Sequence, residues 1–184
     1  MWSFDRRTVL RMGLVAGLGG LTAGCFQPMY GDKNVVPTAG LGDRLGTVDV
    51  PPITPPKGTR LARVGVEVRN DLIFNLTGGG PAQTSAYELK VQLSSSQQQV
   101  IVDINSGRPD IQEYTVNASF TLTDIGTGKA VLSDGTFARV SYNIPGQQQR
   151  FAGERGLRDA ENRAAQVIAD NIRSRLASYF VAGT

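Results

Sequence analysis

Cys25 is the only thiol among the 184 residues, and its position suggests its chemistry. It follows small residues at the end of an apolar run from Met12 to Leu21, and arginines at positions 6, 7 and 11 precede that run. A basic start, an apolar run and small residues form the layout of a secretory signal peptide. Because a membrane span needs about 20 residues, the run is too short to be one. Residues 1–24 are therefore predicted to be a signal peptide.

The run LTAGC at residues 21–25 resembles the lipobox of bacterial lipoproteins. In such proteins the cysteine receives lipid on its sulfur and becomes the new N-terminus. The resemblance implies that Cys25 is lipidated and that the protein is anchored to a membrane. A buried free thiol is the alternative, since cysteine packs as a small hydrophobe. The run RRTVL at residues 6–10 also resembles the core of a twin-arginine signal, so both secretion routes remain open.

The available residue types argue against an enzyme. The chain has no histidine, and its one cysteine is assigned to lipid. The usual ligand sets of zinc and copper are therefore missing, as are histidine-based catalytic groups. A lipid-anchored hydrolase would rely on a serine near an aspartate, with no histidine to activate the serine. Two serine–aspartate pairs are candidates, Ser106 with Asp103 and Ser133 with Asp134. We predict a non-enzymatic protein without cofactor or metal.

The charge balance argues against nucleic acid as a partner. The chain has 19 basic and 16 acidic residues, and the predicted signal contains three of the basic but only one of the acidic ones. The remaining chain is nearly neutral and has the length of one domain. It has no global positive field that would attract nucleic acid.

Two helices and several strands are predicted after a glycine- and proline-rich segment. Residues 25–46 are expected to form the lipidated N-terminus and an extended tether, and residues 47–184 a single α+β domain. Apolar residues at helical spacing predict a helix from the Thr59 cap to about Leu76 and another from about Glu154 to Val181. Polar residues of the first helix, including Arg63, are expected to face outward.

Alternation of apolar and polar residues predicts the strands. They lie at Thr47–Ile53, at Tyr87–Leu93, at 114–123 and at Val131–Ile144. After a polar break over Ser94–Gln99, the apolar residues Val100, Val102 and Ile104 are expected to resume or extend the second of these strands. Because Pro51 and Pro52 cannot donate ladder hydrogen bonds, the first strand should be short and lie at an edge. The order β-α-β-β-β-α predicts an α+β two-layer sandwich, with two helices packed on one face of a mostly antiparallel four-stranded sheet.

The chain also resembles a known family. Residues 25–31 (CFQPMYG) are similar to the run after the lipobox of the lipopolysaccharide-assembly (LptE-like) lipoproteins of Gram-negative outer membranes, in which Cys-Gly-Phe is followed by Pro-Leu-Tyr-Gly. The proline-rich strand, RNDL at 69–72, YEL at 87–89 and LTD at 122–124 agree too. The resemblance spans most of the mature chain. Phe26 departs from it, since many members carry glycine there.

The resemblance implies a role at the outer membrane, on its periplasmic side. Such proteins occupy the lumen of a large β-barrel partner, assist its assembly and help pass lipopolysaccharide into the outer leaflet. Lipopolysaccharide carries phosphates, which favour arginine or lysine contacts. The candidate contacts are Arg108, Lys129, Arg139 and Arg150. A lipid-anchored accessory subunit of an ABC-type envelope lipid transport system is the alternative function.

Overall fold

The structure, a computed structural model, describes residues 40–55, 58–80, 82, 84–102, 109–144 and 150–182. The predicted signal peptide, Cys25 and most of the predicted tether lie outside the described residues. Seven elements follow in chain order. They are α1 (Leu41–Leu45), β1 (Val48–Asp49), α2 (Arg60–Thr77), β2 (Tyr87–Val102), β3 (Pro109–Asp124), β4 (Ala130–Asn143) and α3 (Arg150–Ala182).

The four strands form one sheet in the order β1-β2-β3-β4. β1 runs parallel to β2, and the other neighbours are antiparallel. One face of the sheet carries buried residues such as Leu89, Phe120 and Val140, and these share a core with apolar residues of α2 and α3. The opposite face carries the polar residues that alternate with them. The predicted α+β fold with two long helices and a mostly antiparallel four-stranded sheet is confirmed.

The two long helices run parallel to each other. Arg60 at the start of α2 bonds to Glu154 in the first turns of α3, and Asn75 near the end of α2 bonds to Asp170 farther along α3. Both helices therefore begin at the same end of the sandwich, which we call the helix-start end. At the opposite end the rings of Tyr87 and Phe180 lie 5.3 Å apart.

α1 lies within the segment that was expected to be an extended tether. Leu41 and Leu45 are one helical turn apart, and Leu45 is buried in the core. Arg44 Nη1 donates a hydrogen bond of 2.7 Å to the Phe180 carbonyl. These contacts explain why residues 41–45 are helical although five residues alone would not hold a helix in water.

β1 is shorter than the predicted strand because prolines follow it. Only Val48 and Asp49 pair with β2. Pro51 and Pro52 have no N–H to donate, and the chain turns toward α2. There Arg69 Nε donates a 2.9 Å hydrogen bond to the Val50 carbonyl.

β2 continues through residues 94–99, which the sequence predicts to be a polar break. Residues 94–99 pair in unbroken register with β3, for example Ser94 with Asn117 and Gln98 with Glu113. Their side chains are exposed on both faces of the sheet. Backbone pairing with β3, rather than burial of side chains, holds this half of the strand.

Candidate functional site

The structure separates the predicted phosphate contacts. Lys129 is exposed in the turn between β3 and β4, at the end opposite the helix starts, whereas Arg150 is the first residue of α3. The 14 residues of β4 lie between these two positions, a length of roughly 45 Å at about 3.3 Å per residue. Arg108 lies outside the described residues. The remaining candidate, Arg139, faces outward on β4.

Arg139 already has partners within the protein. Its Nε lies 3.2 Å from Glu113 Oε1 on the neighbouring strand, and its guanidinium lies 5.9 Å from the centre of the Phe137 ring. An arginine held by a carboxylate has less to gain from a phosphate, because the existing pair must first be broken. Arg139 is therefore expected to bind a phosphate more weakly than an arginine without a carboxylate partner would.

The helix-start end has a positive electrostatic character. Neither α2 nor α3 carries an acidic residue in its first turn, and each begins with an arginine, Arg60 and Arg150. Helix N-termini carry a partial positive charge and normally favour acidic residues nearby. The partial positive charges of the two helix N-termini therefore lie at one end of the described domain.

Two arginines at this end lack a direct carboxylate contact. Arg155 and Arg158 are exposed on α3, and neither forms an ion pair or hydrogen bond with any residue that the structure describes, although the charge of Arg158 helps to lower the pKa of Glu154. Their spacing of three residues places them on the same side of the helix. Sequence reasoning missed both as candidate contacts. That spacing close to a helix start was the signal that could have identified them.

The neighbouring arginines are held by carboxylates. Arg60 Nη2 lies 3.1 Å from both carboxylate oxygens of Glu154. This contact raises the pKa of Arg60 and lowers the pKa of Glu154. Arg163 Nε lies 2.8 Å from Asp159 Oδ2. Arg60 and Arg163 therefore line the charged end without being free to bind an outside anion.

A buried carboxylate lies beneath this surface. Glu161 on α3 is 2 % exposed and is the one buried charged residue in the described part of the chain. Its Oε2 accepts a hydrogen bond from Arg63 Nη2, and Arg63 Nη1 donates to Asn162 Oδ1 at 2.9 Å. Arg63 therefore does not simply face outward, as the sequence predicted, but reaches from α2 to α3. This ion pair fixes the two helices against each other.

Two tyrosines from the sheet lie near the same cluster. Burial raises the pKa of Tyr114 and of Tyr142. The Tyr142 hydroxyl donates to Gln112 Oε1 at 2.5 Å. Both phenols therefore stay neutral at physiological pH and contribute polarity without charge.

An open cavity of about 780 Å³ lies at the same end, between the end of β4 and the first turns of α3. Its lining combines apolar side chains with a charged pair. The apolar ones are Ile111, Ile144 and Ala152, and the pair is Asp159 with Arg163. Gly156 lets α3 approach β4 closely, since a Cβ there would lie 3.3 Å from the Asn143 carbonyl oxygen. A cavity of this composition suits a molecule with both apolar and anionic parts.

The described ranges contain neither a cluster of metal ligands nor a membrane-spanning helix. Within them, histidine, cysteine, aspartate and glutamate form no group able to hold a metal ion. No helix there has the length and apolarity required to cross a membrane.

Comparison with known proteins identifies the family. The family model LptE, described as lipopolysaccharide-assembly, matches residues 45–176, which is most of the chain. The chain belongs to this family. This match confirms the resemblance seen in the sequence. LptE proteins are envelope-associated lipoproteins without enzymatic activity.

Solved structures of lipoproteins share the LptE fold seen here. A protein described as a lipoprotein from Caulobacter crescentus is 23% identical, with a TM-score of 0.61 over 79% of this chain and 98% of its own. Rare lipoprotein B from Shewanella oneidensis is 16% identical, with a TM-score of 0.52 over 73% of this chain and 96% of its own. At these identities the likeness establishes the fold alone. No curated protein matches the chain with significance.

Proposed function

We propose that this protein is a non-enzymatic outer-membrane lipoprotein that lies in the lumen of a large β-barrel translocon. In this role it assists assembly of the barrel and helps deliver lipopolysaccharide to the outer leaflet. The family match carries the proposal, because it covers the core elements from residue 45 through most of α3. Lipidation of Cys25 would tether the domain at the membrane that holds the barrel.

The outer face of the sheet supports placement in a barrel. It presents hydroxyl and amide side chains from β2 and β3, including Gln92, Ser94, Asn117 and Ser119. Its charged residues are largely paired with one another, as Lys90 is with Glu88 at 2.9 Å. The lumen of an outer-membrane barrel is polar, so such a face can lie against it without burying unpaired charge.

The helix-start end supports contact with lipopolysaccharide. Its phosphates can accept charge-assisted hydrogen bonds from Arg155 and Arg158, which form no hydrogen bond or ion pair with any described residue. The two helix N-termini add to the attraction of an anion. The adjacent cavity, with Ile111 and Ile144 in its lining, offers apolar surface for part of an acyl chain.

Replacing Arg155 and Arg158 together by alanine is expected to weaken binding of purified lipopolysaccharide about tenfold. Charge-assisted hydrogen bonds contribute about 1.5–3 kcal/mol each, solvent exposure reduces this, and about 1.4 kcal/mol corresponds to a factor of ten. Lys129→Ala is the matched control, since it removes an exposed cation at the opposite end. Fluorescence titration with lipopolysaccharide measures both. If Lys129→Ala weakened lipopolysaccharide binding and the double arginine variant did not, the binding site would lie at the end that carries Lys129, and the proposed contact would be wrong.

Mass spectrometry of the native protein tests the anchor. We expect an intact mass equal to a chain beginning at Cys25 plus acyl groups, and fragmentation that locates them on this residue. Cys25→Ala should leave the protein without acyl groups and release it from the membrane fraction. A native mass without acyl groups would contradict the proposed anchoring.

A further inference from the structure

An aromatic ring lies in solvent at the start of α3. Phe151 is the second residue of this helix and is 82% exposed, more than any other large apolar side chain in the described residues. Packing within the domain therefore does not account for a phenylalanine at this position. A single exposed apolar residue is common at protein surfaces, so the neighbours of Phe151 decide what its ring can do.

Phe151 shares one side of α3 with the two arginines that lack a carboxylate contact. At 3.6 residues per turn and a rise of 1.5 Å per residue, Phe151, Arg155 and Arg158 lie within about 60° around the helix axis and over roughly 10 Å along it. We call these three residues the Phe–Arg stripe. One turn beyond it lies Asn162, which accepts a hydrogen bond from Arg63 of α2.

The carboxylates beside the Phe–Arg stripe are held by other arginines. On the side of α2, both carboxylate oxygens of Glu154 lie 3.1 Å from Arg60 Nη2. On the side of β4, Asp159 Oδ2 lies 2.8 Å from Arg163 Nε. Each of these pairs is neutral as a whole, so the two arginines of the stripe leave it with a net positive charge.

The other exposed phenylalanines in the described residues have no such neighbours. Phe137 has a guanidinium over its ring, but that group belongs to Arg139, which is paired with Glu113. Phe74 lies near the end of α2, and the last turn of that helix contains no basic residue. Phe151 therefore differs from both in lying beside arginines that no carboxylate contacts directly.

A ring and two guanidinium groups on one stripe suit a molecule that carries an anion next to an apolar chain. A phosphate monoester has a charge of about −1.5 to −2 at neutral pH and three acceptor oxygens, which two guanidinium groups can share. An apolar chain attached close to the phosphate would cover the ring and release water from it. Ala152, which follows Phe151, lines the cavity together with Ile144, so apolar surface continues from the ring.

We propose that the Phe–Arg stripe recognises the acylated, phosphorylated sugars of lipopolysaccharide, known as lipid A, and that Phe151 contacts their acyl chains. This assignment rests on the proposed function, which brings lipopolysaccharide to the helix-start end. It adds the part of lipopolysaccharide that is bound and the residue that recognises its apolar portion. Sugar phosphates without acyl chains would engage only Arg155 and Arg158.

Titration of the purified full-length lipoprotein with three ligands in the same detergent tests this assignment. The ligands are intact lipopolysaccharide, lipopolysaccharide deacylated by alkali, and phosphatidylglycerol. Phe151→Ser is expected to weaken binding of intact lipopolysaccharide about tenfold through loss of an apolar contact, and to leave binding of the deacylated form unchanged. The double variant Arg155→Ala/Arg158→Ala should weaken binding of both forms. Phe74→Ser is the matched control, since it removes an exposed ring from α2, and should bind like the unmodified protein.

The possible results separate this assignment from the proposed function. If Phe151→Ser binds intact lipopolysaccharide normally, or loses affinity for both forms equally, Phe151 does not contact acyl chains and the proposal is overturned. A loss with the double arginine variant would still support the proposed function in that case. If the unmodified protein binds no lipopolysaccharide, the proposed contact itself is wrong. Equally tight binding of phosphatidylglycerol, weakened to the same extent by Phe151→Ser, would assign the stripe to phospholipid and overturn the proposal.

Photo-crosslinking in cells provides a second measurement. With p-benzoylphenylalanine in place of Phe151, irradiation is expected to yield a covalent adduct of the protein with the acyl chains of lipopolysaccharide. The same group in place of Phe74 should yield no such adduct. Adducts with protein alone at position 151 would assign the ring to a protein partner and disprove the lipid contact.

Discussion

Leu122→Ala is expected to lower the free energy of unfolding by about 2–5 kcal/mol, the range for truncating a buried leucine. Leu122 lies on β3, an interior strand, and is fully buried. It pairs with Leu89 on one side and Leu132 on the other, beneath the two long helices. The surrounding sheet and helices cannot collapse into the space left by the side chain. Urea unfolding followed by circular dichroism measures the change.

Thr121→Ala is the matched control for this prediction. Thr121 is the adjacent residue on β3 and points to the opposite face, where its hydroxyl lies 3.3 Å from that of Ser133. Loss of this exposed contact and of a β-branched side chain should cost about 1 kcal/mol or less. Equal losses at the two positions would contradict a sheet that is covered by helices on one face only.

Arg63→Ala is expected to destabilise the fold by about 2–4 kcal/mol. Removal of one partner from a buried ion pair costs about 3–5 kcal/mol because it leaves a buried charge uncompensated. Glu161 is 2 % exposed, but Arg63 is 35% exposed, so water can reach the pair in part and the expected loss is smaller. The same urea titration measures it.

Two further variants separate this effect from the simple loss of an arginine. Arg163→Ala removes an exposed arginine paired with Asp159 on the same helix, and should cost below about 1 kcal/mol. Arg63→Met/Glu161→Leu replaces both charges by apolar groups and should recover most of the stability lost in Arg63→Ala. If Arg63→Ala and Arg163→Ala cost the same, Glu161 does not depend on Arg63.

The long elements could be predicted because each buries one regular stripe. The expected helix ending near Leu76 is α2, which ends at Thr77, where Gly78 adopts a φ of +75° that favours glycine. Strict alternation over residues 114–123 marked β3 because one face is buried and the other polar. In these segments local pattern and tertiary packing agree.

Features that depend on tertiary contacts could not be predicted. The polar half of β2 has no alternation, and its strand structure comes from pairing with β3. α1 is helical because Leu45 packs into the core. Glu161 follows Leu157 by one helical turn on the apolar stripe, so its burial could be predicted from the sequence. Its partner Arg63 could not be predicted, because the parallel arrangement of α2 and α3 brings the two residues together.

The candidate site was predicted only in part for the same reason. The sequence predicts phosphate contacts mainly at turns, but the sheet places Lys129 far from the start of α3. The sequence predicts Arg150 as a contact, whereas Arg155 and Arg158 become candidates only because the fold brings the two helix starts to one end. The spatial coincidence of two N-termini follows from the parallel β1–β2 connection through α2, which no local pattern reveals.

Isolation of the native lipoprotein from envelope membranes, with identification of its bound partner by mass spectrometry, tests the central claim most directly. The proposed function predicts that a large outer-membrane β-barrel protein is recovered in stoichiometric amount together with lipopolysaccharide. Recovery of an inner-membrane ABC-type lipid transporter in place of the barrel would contradict it and support the accessory-subunit alternative.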